Sequence, residues 1–295
     1  MTITHTTPAL LSSDAVTPDP KQSRRGFRII PFFPLVAMLL CLDLPAQLRA
    51  QSENLPQDQS VDMGAATGFA IMGGTALTLG GSTITGDLGS QSGPVTGPVT
   101  LSGTNFTGNT PVMTAAQSAL ESAYEVAATR TPTVTYDGAT DLGGLSLGPG
   151  VYHVSGAISM TSNLTLDAGN DPDAVWIFQT TAALNTTAGV STLLANGALA
   201  YNVFWQVGGA VTTGAGTTFD GTIMAQQAIT LGAGTELDGR ALSEMAAVTL
   251  DGATINVAID TMTLNDYGAV PEPSTYAQFG LGALALIVAY RRKVA

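Results

Sequence analysis

From about residue 150 to residue 257 the chain alternates apolar residues with small or polar ones at period two, and glycines interrupt the alternation every few residues. That period is the mark of short strands, each with one buried face. Three stretches, "AVTTGAGTTFDG" (Ala210–Gly221), "AITLGAGTELDG" (Ala228–Gly239) and "AVTLDGATINV" (Ala247–Val257), fall into register at spacings of 18 and 19. A repeat of this length, with glycine-rich corners, predicts one coil of a β-solenoid per repeat, each coil supplying three short strands. Inward columns follow from the register: Val211, Ile229 and Val248 in one, Phe219 and Leu237 in a second, Trp205, Ile223 and Ala241 in a third. "AALNT" (Ala182–Thr186), "GAISM" (Gly156–Met160) and "TALTLGGSTITGDLG" (Thr75–Gly89) fit the same strand with longer insertions, so the array is interrupted. Gln91 to Asn109, with Pro94, Pro98 and several glycines, reads as a loop or end cap.

One segment breaks the pattern. With Thr110 as a cap and Pro111 at the first helical position, "PVMTAAQSALESAYEVAATR" predicts a helix over about 111–130, ending before Pro132. Val112, Ala116, Ala119, Ala123 and Val126 make a small-residue stripe at helical spacing, which would lay the helix flat on one solenoid face. A free or partner-binding helix is the alternative.

The two ends are of another kind. Lys21, Arg24, Arg25 and Arg28 precede the apolar run Ile29 to Leu44, and small residues follow at Ala46 and Ala50, the layout of a secretory signal. Pro31, Pro34, Asp43 and Pro45 disfavour a lasting membrane helix there. The only cysteine, Cys41, lies in this segment, so the mature chain has no thiol. At the other end, "VPEPSTYAQFGLGALALIVAYRRKVA" joins Pro-Glu-Pro, a short apolar stretch and Arg291, Arg292 and Lys293. This tail resembles the bacterial PEP-CTERM sorting signal, which implies handling by an exosortase, transient membrane anchoring and a secreted or cell-surface product. The expected organisation is leader and signal peptide 1–50, linker 51–60, solenoid domain 61–260, linker 261–270 and sorting signal 271–295.

Charge narrows the partners. Gln51 to Val270 carries eighteen acidic residues against two basic ones, Arg130 and Arg240, a balance of 18 − 2 = 16 negative charges. Such a surface repels phosphate backbones, so nucleic acid is excluded as a partner. High acidity can signal disorder, but 45% hydrophobic residues in regular alternation argue for a packed fold.

The body offers little for catalysis. Its one histidine, His153 in "GVYHVSG", is an ordinary strand residue by alternation, and no second histidine supports a triad. Asp220 and Asp238 stack one coil apart and suggest the acid pair of a solenoid polysaccharide-degrading enzyme; each precedes a corner glycine, where Asp is favoured for bonding the turn backbone. Asp167, Asp171 and Asp173 in "LDAGNDPDAVWIFQ" suggest a calcium loop but lack the glycine and distal Glu of an EF-hand, and turn roles lead there as well.

What the repeat does preserve is one small, neutral column. Beside the Val211 ladder the outward residues are Ala210 and Thr212, Ala228 and Thr230, Ala247 and Thr249, with Ala183 and Asn185, Ala157 and Ser159, and Thr75, Ala76 and Thr78 in the irregular coils. None of these is charged, whereas neighbouring columns hold Glu236 and Arg240. With strands about 4.8 Å apart and alternate residues about 6.5–7 Å apart along a strand, the face becomes a rigid grid of methyl and hydroxyl groups. Its spacings are close to those of oxygens in ice. The competing explanation is that threonine simply favours strands.

The body resembles the microbial ice-binding (antifreeze) protein family. The matching stretches are "GDLG" (Gly86–Gly89), the helix running into "RTPT" (Arg130–Thr133), "DLGGLSLGPGVYHVSG" (Asp141–Gly156), "LTLDAGNDPDAVWIFQ", "NVFWQVGGAVTTGAGTTFDGTIMA" (Asn202–Ala225) and "LDGRALSEMAAVTLDGATI" (Leu237–Ile255). The resemblance covers nearly all of Val61 to Val257. It implies a mainly β fold, a right-handed, three-sided, discontinuous β-solenoid with one long helix alongside, whose flat face binds ice and inhibits its growth or recrystallisation. It implies no reaction and no cofactor, and a monomer is expected. The family face carries a motif of Thr, then Ala or Gly, any residue, and Thr or Asn. Thr75 to Thr78 matches it fully; Ala183 to Asn185, Ala210 to Thr212, Ala228 to Thr230 and Ala247 to Thr249 match its last three positions but lack the leading Thr, and Gln227 stands in that slot of one. Two other readings remain open: an extracellular matrix or adhesin-type structural protein, and the polysaccharide-degrading enzyme.

Overall fold

The structure, a computed structural model, describes residues 60–257. The leader, the sorting signal and most of the two linkers lie outside the described residues. Alternation along the strands is realised as burial: Val211–Thr213 and Ile229–Leu231 each run buried, exposed, buried. Successive strands pair in parallel, and the expected columns hold, with Val211 beside Ile229 and Ile229 beside Val248, Phe219 beside Leu237, and Trp205, Ile223 and Ala241 in line. The interior between them is largely apolar. Tyr152, Phe178 and Trp205 stack ring on ring at centroid separations of 5.3 and 4.1 Å, and Phe219 meets Trp205 tilted at 4.9 Å, so the coils bury one aromatic against another along the stack. Burying each such side chain stabilises the fold by about 1.5–3 kcal/mol, with ring geometry adding to it.

Three parallel sheets result, of twelve, eight and three strands. The largest contains long strands, Thr218–Ala225 and Glu236–Ser243, whose two halves pair with different neighbours. Gly221 and Gly239 sit in register between the halves at φ of +110° and +155°, and a Cβ on Gly221 would lie 2.6 Å from the Val203 carbonyl oxygen. Only glycine serves at that bend.

The order of stacking differs from the order of the chain. Phe69–Gly73 pairs with Glu236–Ser243, Leu77–Thr78 with Val248–Leu250, and Ser82–Thr85 with Thr254–Asn256, so the first coil sits on the last one. Residues 91–109, expected as a loop or end cap, form a further coil beyond it, with strands Val95–Thr96, Val99–Ser102 and Asn105–Thr107. Proline disguised these strands. At the edge of a sheet no backbone donor is needed, and Pro94 and Pro98 still accept from Leu77 N–H (3.0 Å) and Gly81 N–H (2.8 Å).

Helix α1 (Pro111–Thr129) leads from that outer coil to the opposite end of the large sheet, where Val134–Tyr136 starts the second run of coils. Thr110 caps it through Oγ1, which accepts from Met113 N–H at 3.2 Å. The helix lies on a face of the stack formed by Met72, Val151, Ile177, Phe204, Met224 and Leu242, as expected, but on a different stripe. Met113, Ala116, Gln117, Leu120, Ala123, Tyr124 and Ala127 are buried, Ala119 and Val126 are half-buried, and Val112 is 46% exposed. The larger side chains fill the gap that an alanine stripe would have left, which rotates the buried face by about one residue. Gln179 fixes the far end by donating to the carbonyls of Ala127 (2.7 Å) and Arg130 (2.9 Å) at the helix C-terminus. Arg240, buried on the same side, donates to Thr67 O (3.0 and 2.9 Å) and ties down the N-terminal segment.

Candidate functional site

The eight-stranded sheet is not the one that α1 covers, and its outward side is built from two columns. Going up the stack, Thr96, Thr78, Thr249, Thr230, Thr212, Asn185 and Ser159 stand in unbroken register. Beside them run Pro94, Ala76, Ala247, Ala228, Ala210, Ala183 and Ala157, whose carbonyls each accept from the next strand at 2.9–3.1 Å. Seven rows at about 4.8 Å make an array roughly 30 Å long. All twelve residues singled out in the sequence lie on this sheet or its rim, Thr75 at the corner slot beside Ala76 and the rest in the columns.

Four threonine hydroxyls of this array differ from those at the corners, whereas Thr96 and Ser159, near its two ends, donate to Leu77 O (3.2 Å) and Thr140 O (3.4 Å). Among the described residues, Thr78, Thr212, Thr230 and Thr249 make no hydrogen bond through their side chains. Corner threonines are tied inside the protein, Thr213 to Thr235 at 3.0 Å and Thr186 to Thr217 at 3.2 Å. Both groups favour strands, so strand preference alone does not explain why one set is left free to meet water or a ligand.

One of the missing leading threonines, at Gly209, has a steric cause; the slots before Ala183 and Ala247 hold Ala182 and Ala246. Gly209, Gly156 and Gly93 occupy the slot before the alanine column, and a Cβ at Gly209 would come within 2.7 Å of the Ala182 backbone. Gly93 is as close to Thr75 O, at 2.6 Å, and Gly156 presses on the Gly138–Ala139 peptide. A β-branched residue fits only where the corner opens, as at Thr75 and Gln227, both exposed.

Two corrections concern charge. The acidic residues were expected to be kept off this face, yet Asp141 occupies an eighth row, paired with Ser159 and exposed. Its strand, Thr140–Asp141, was hidden because "GATD" replaces the terminal Thr or Asn with Asp; Thr96 was hidden by the prolines of "GPVTGPVT". Secondly, the Asp220 and Asp238 carboxylates do not bond the turn backbone among the described residues; the two stand in register on the neighbouring sheet half, Asp238 exposed and Asp220 buried. Burial, and then the Asp238 charge, push Asp220 up to about 7. The turn role does hold for Asp167, which accepts from Gly169 N–H and Asn196 Nδ2 at 2.8 Å, and for Asp171, which accepts from Asp173 N–H at 3.0 Å. Among the described residues no three His, Cys, Asp or Glu side chains are grouped to hold a metal. His153 lies on the helix-covered side, in line with Gln179 and Gln206, away from the array.

Comparison with known proteins bears on this arrangement. Residues 63–256 match the family described as Ice-binding-like, and residues 269–293 match the PEP-CTERM protein-sorting motif. An ice-binding protein of Nostoc sp. (strain HG1) is 40% identical over 237 residues, covering 78% of this chain and 87% of that one. The crystal structure of an ice binding protein from an Antarctic biological consortium superposes with a TM-score of 0.66 at 35% identity, covering 70% of this chain and 95% of the other. That of an ice-binding protein from the Antarctic ascomycete Antarctomyces psychrotrophicus gives 0.66 at 33%, covering 68% and 100%. The family is not an enzyme family. A parallel-stranded body, one long helix among the described residues and a match over 63–256 agree on one assignment: this chain belongs to the ice-binding-like family and carries a PEP-CTERM sorting motif near its C-terminus.

Proposed function

We propose that this protein binds ice through the two-column face of the eight-stranded sheet and thereby slows ice growth or recrystallisation. The observation that carries the reading is the register of seven neutral rows, in which the hydroxyls of Thr78, Thr212, Thr230 and Thr249 have no partner among the described residues. A stiff sheet holds these groups at fixed spacings, so water can be arranged over them before a crystal arrives, and many weak contacts act together without an ordering cost at binding. Ice binding by the named relatives supports the same reading. In this reading the body, 61–260, is wound as a right-handed three-sided solenoid and acts as a monomer. The 1–50 leader is removed on export, and the tail directs exosortase-dependent sorting, with transient anchoring before surface display or release.

The test is a double substitution in the middle of the face. Thr212→Tyr with Thr230→Tyr places two bulky rings on adjacent rows without touching the interior. The expected result is an unchanged melting temperature within about 2 °C and loss of most recrystallisation inhibition. Full activity in a folded double variant would remove this face from consideration, and an adhesive or matrix role on the cell surface would then account for the sorting motif.

A further inference from the structure

The eighth row of the face departs from the other seven. Asp141 stands directly above Ser159 in the hydroxyl column, exposed, with Ala157 O receiving the N–H of its neighbour Thr140 at 2.9 Å. Its backbone therefore continues the array without a break. Its side chain is held in place from three directions: Oδ1 accepts from Gly143 N–H (2.9 Å) and Thr161 N–H (3.1 Å), and Oδ2 accepts from the Thr161 hydroxyl. The Thr161 bond first, and then the backbone donors, hold the carboxyl below the usual range, so it stays ionised.

We propose that Asp141 ends the ice-contacting array: a fixed negative charge in the eighth row keeps ice to the seven neutral rows below it. This rests on the ice-binding reading and deepens it. A carboxylate orients its own shell of water and loses a large hydration energy when that shell is taken away, and an ice surface offers no counter-charge in return. The rows below lose nothing comparable, because a hydroxyl or a methyl can sit against ordered water without shedding a charge shell. The hydrogen bonds around Asp141 do not themselves require the charge. An asparagine in the same pose would still accept from Gly143 N–H and Thr161 N–H through its oxygen, and its amide would donate to the Thr161 hydroxyl.

Recrystallisation inhibition and melting temperature measured on the purified wild type and on D141N, D141T, D141E and S159D test the proposal. Asp141→Asn and Asp141→Thr should lower the protein concentration needed for inhibition roughly two- to tenfold, the range that one more weak polar contact gives. D141E, which keeps the charge, should bring no gain. Ser159→Asp moves the boundary one row inward and should raise the required concentration. If the wild type is active and folded D141N and D141T show no gain, this inference fails and the ice-binding reading stands. An inactive wild type removes both.

Discussion

At the scale of single residues, the face is shaped as much by what its corners exclude as by what its columns present. The slot ahead of the alanine column is glycine at 93, 156 and 209 because the neighbouring coil's backbone occupies the Cβ position, whereas Gln227 projects into open solvent. The two slots should therefore respond in opposite ways to threonine. Gly209→Thr is expected to lower stability by about 1–3 kcal/mol through overpacking against Ala182. Gln227→Thr should stay within about 0.5 kcal/mol of wild type while completing the motif on the central strand. Thermal unfolding of the two variants side by side checks this, and equal losses would mean that the corner is more compliant than the backbone contacts imply.

Among the elements, α1 sets which side of the stack is available. By covering Met72, Val151, Ile177, Phe204, Met224 and Leu242 it removes the apolar side from solvent and leaves the neutral array uncovered. Its C-terminal carbonyls are satisfied from below by one side chain, Gln179, which is 3% exposed. Replacing Gln179 with Ala removes a buried side-chain donor to the Ala127 and Arg130 carbonyls, and a loss of about 1–3 kcal/mol is expected, seen in chemical denaturation as a lower midpoint. Recrystallisation inhibition per folded molecule should be unchanged, since the helix lies on another face. A variant that unfolds normally but loses ice activity would show that α1 contributes to the surface directly.

For the molecule as a whole, buried acids make stability depend on pH in a definite direction. Burial pushes Glu244 from an ordinary 4.5 up to about 7, helped by Glu121 and Glu125 on α1, as burial and Asp238 do for Asp220 from 3.8. The folded protein thus keeps protons that the unfolded chain gives up, so their contribution is fully present below about pH 4 and is lost as pH rises through about 7. Asp141 and Asp167, held low by hydrogen bonds from Thr161 and Asn196 first, act in the opposite sense and lose their contribution as pH falls. Maximum stability is expected near pH 4–5, with a melting temperature lower by roughly 5–10 °C at pH 8. Asp220→Asn should remove part of that fall without shifting the value at pH 4. A melting temperature that rises from pH 5 to pH 8 would contradict the account.

Much of this molecule is written in local pattern. Alternation at period two, glycine corners and an 18–19-residue spacing specify each coil and its columns, because each is settled by sterics within a coil and its immediate neighbour; the Thr110 cap and Pro111 mark the helix in the same way. What the sequence alone left open depends on distant chain segments meeting. That Asp141 joins the column of Ser159 and that α1 buries Met113 and Leu120 in place of Val112 are set by how neighbouring coils and the helix pack, and that Thr78 lies against Thr249 follows from closing the first coil over the last. Only that closure pairs the strand edges that would otherwise stay bare, and it brings together residues more than 150 positions apart, a distance over which no periodicity carries information.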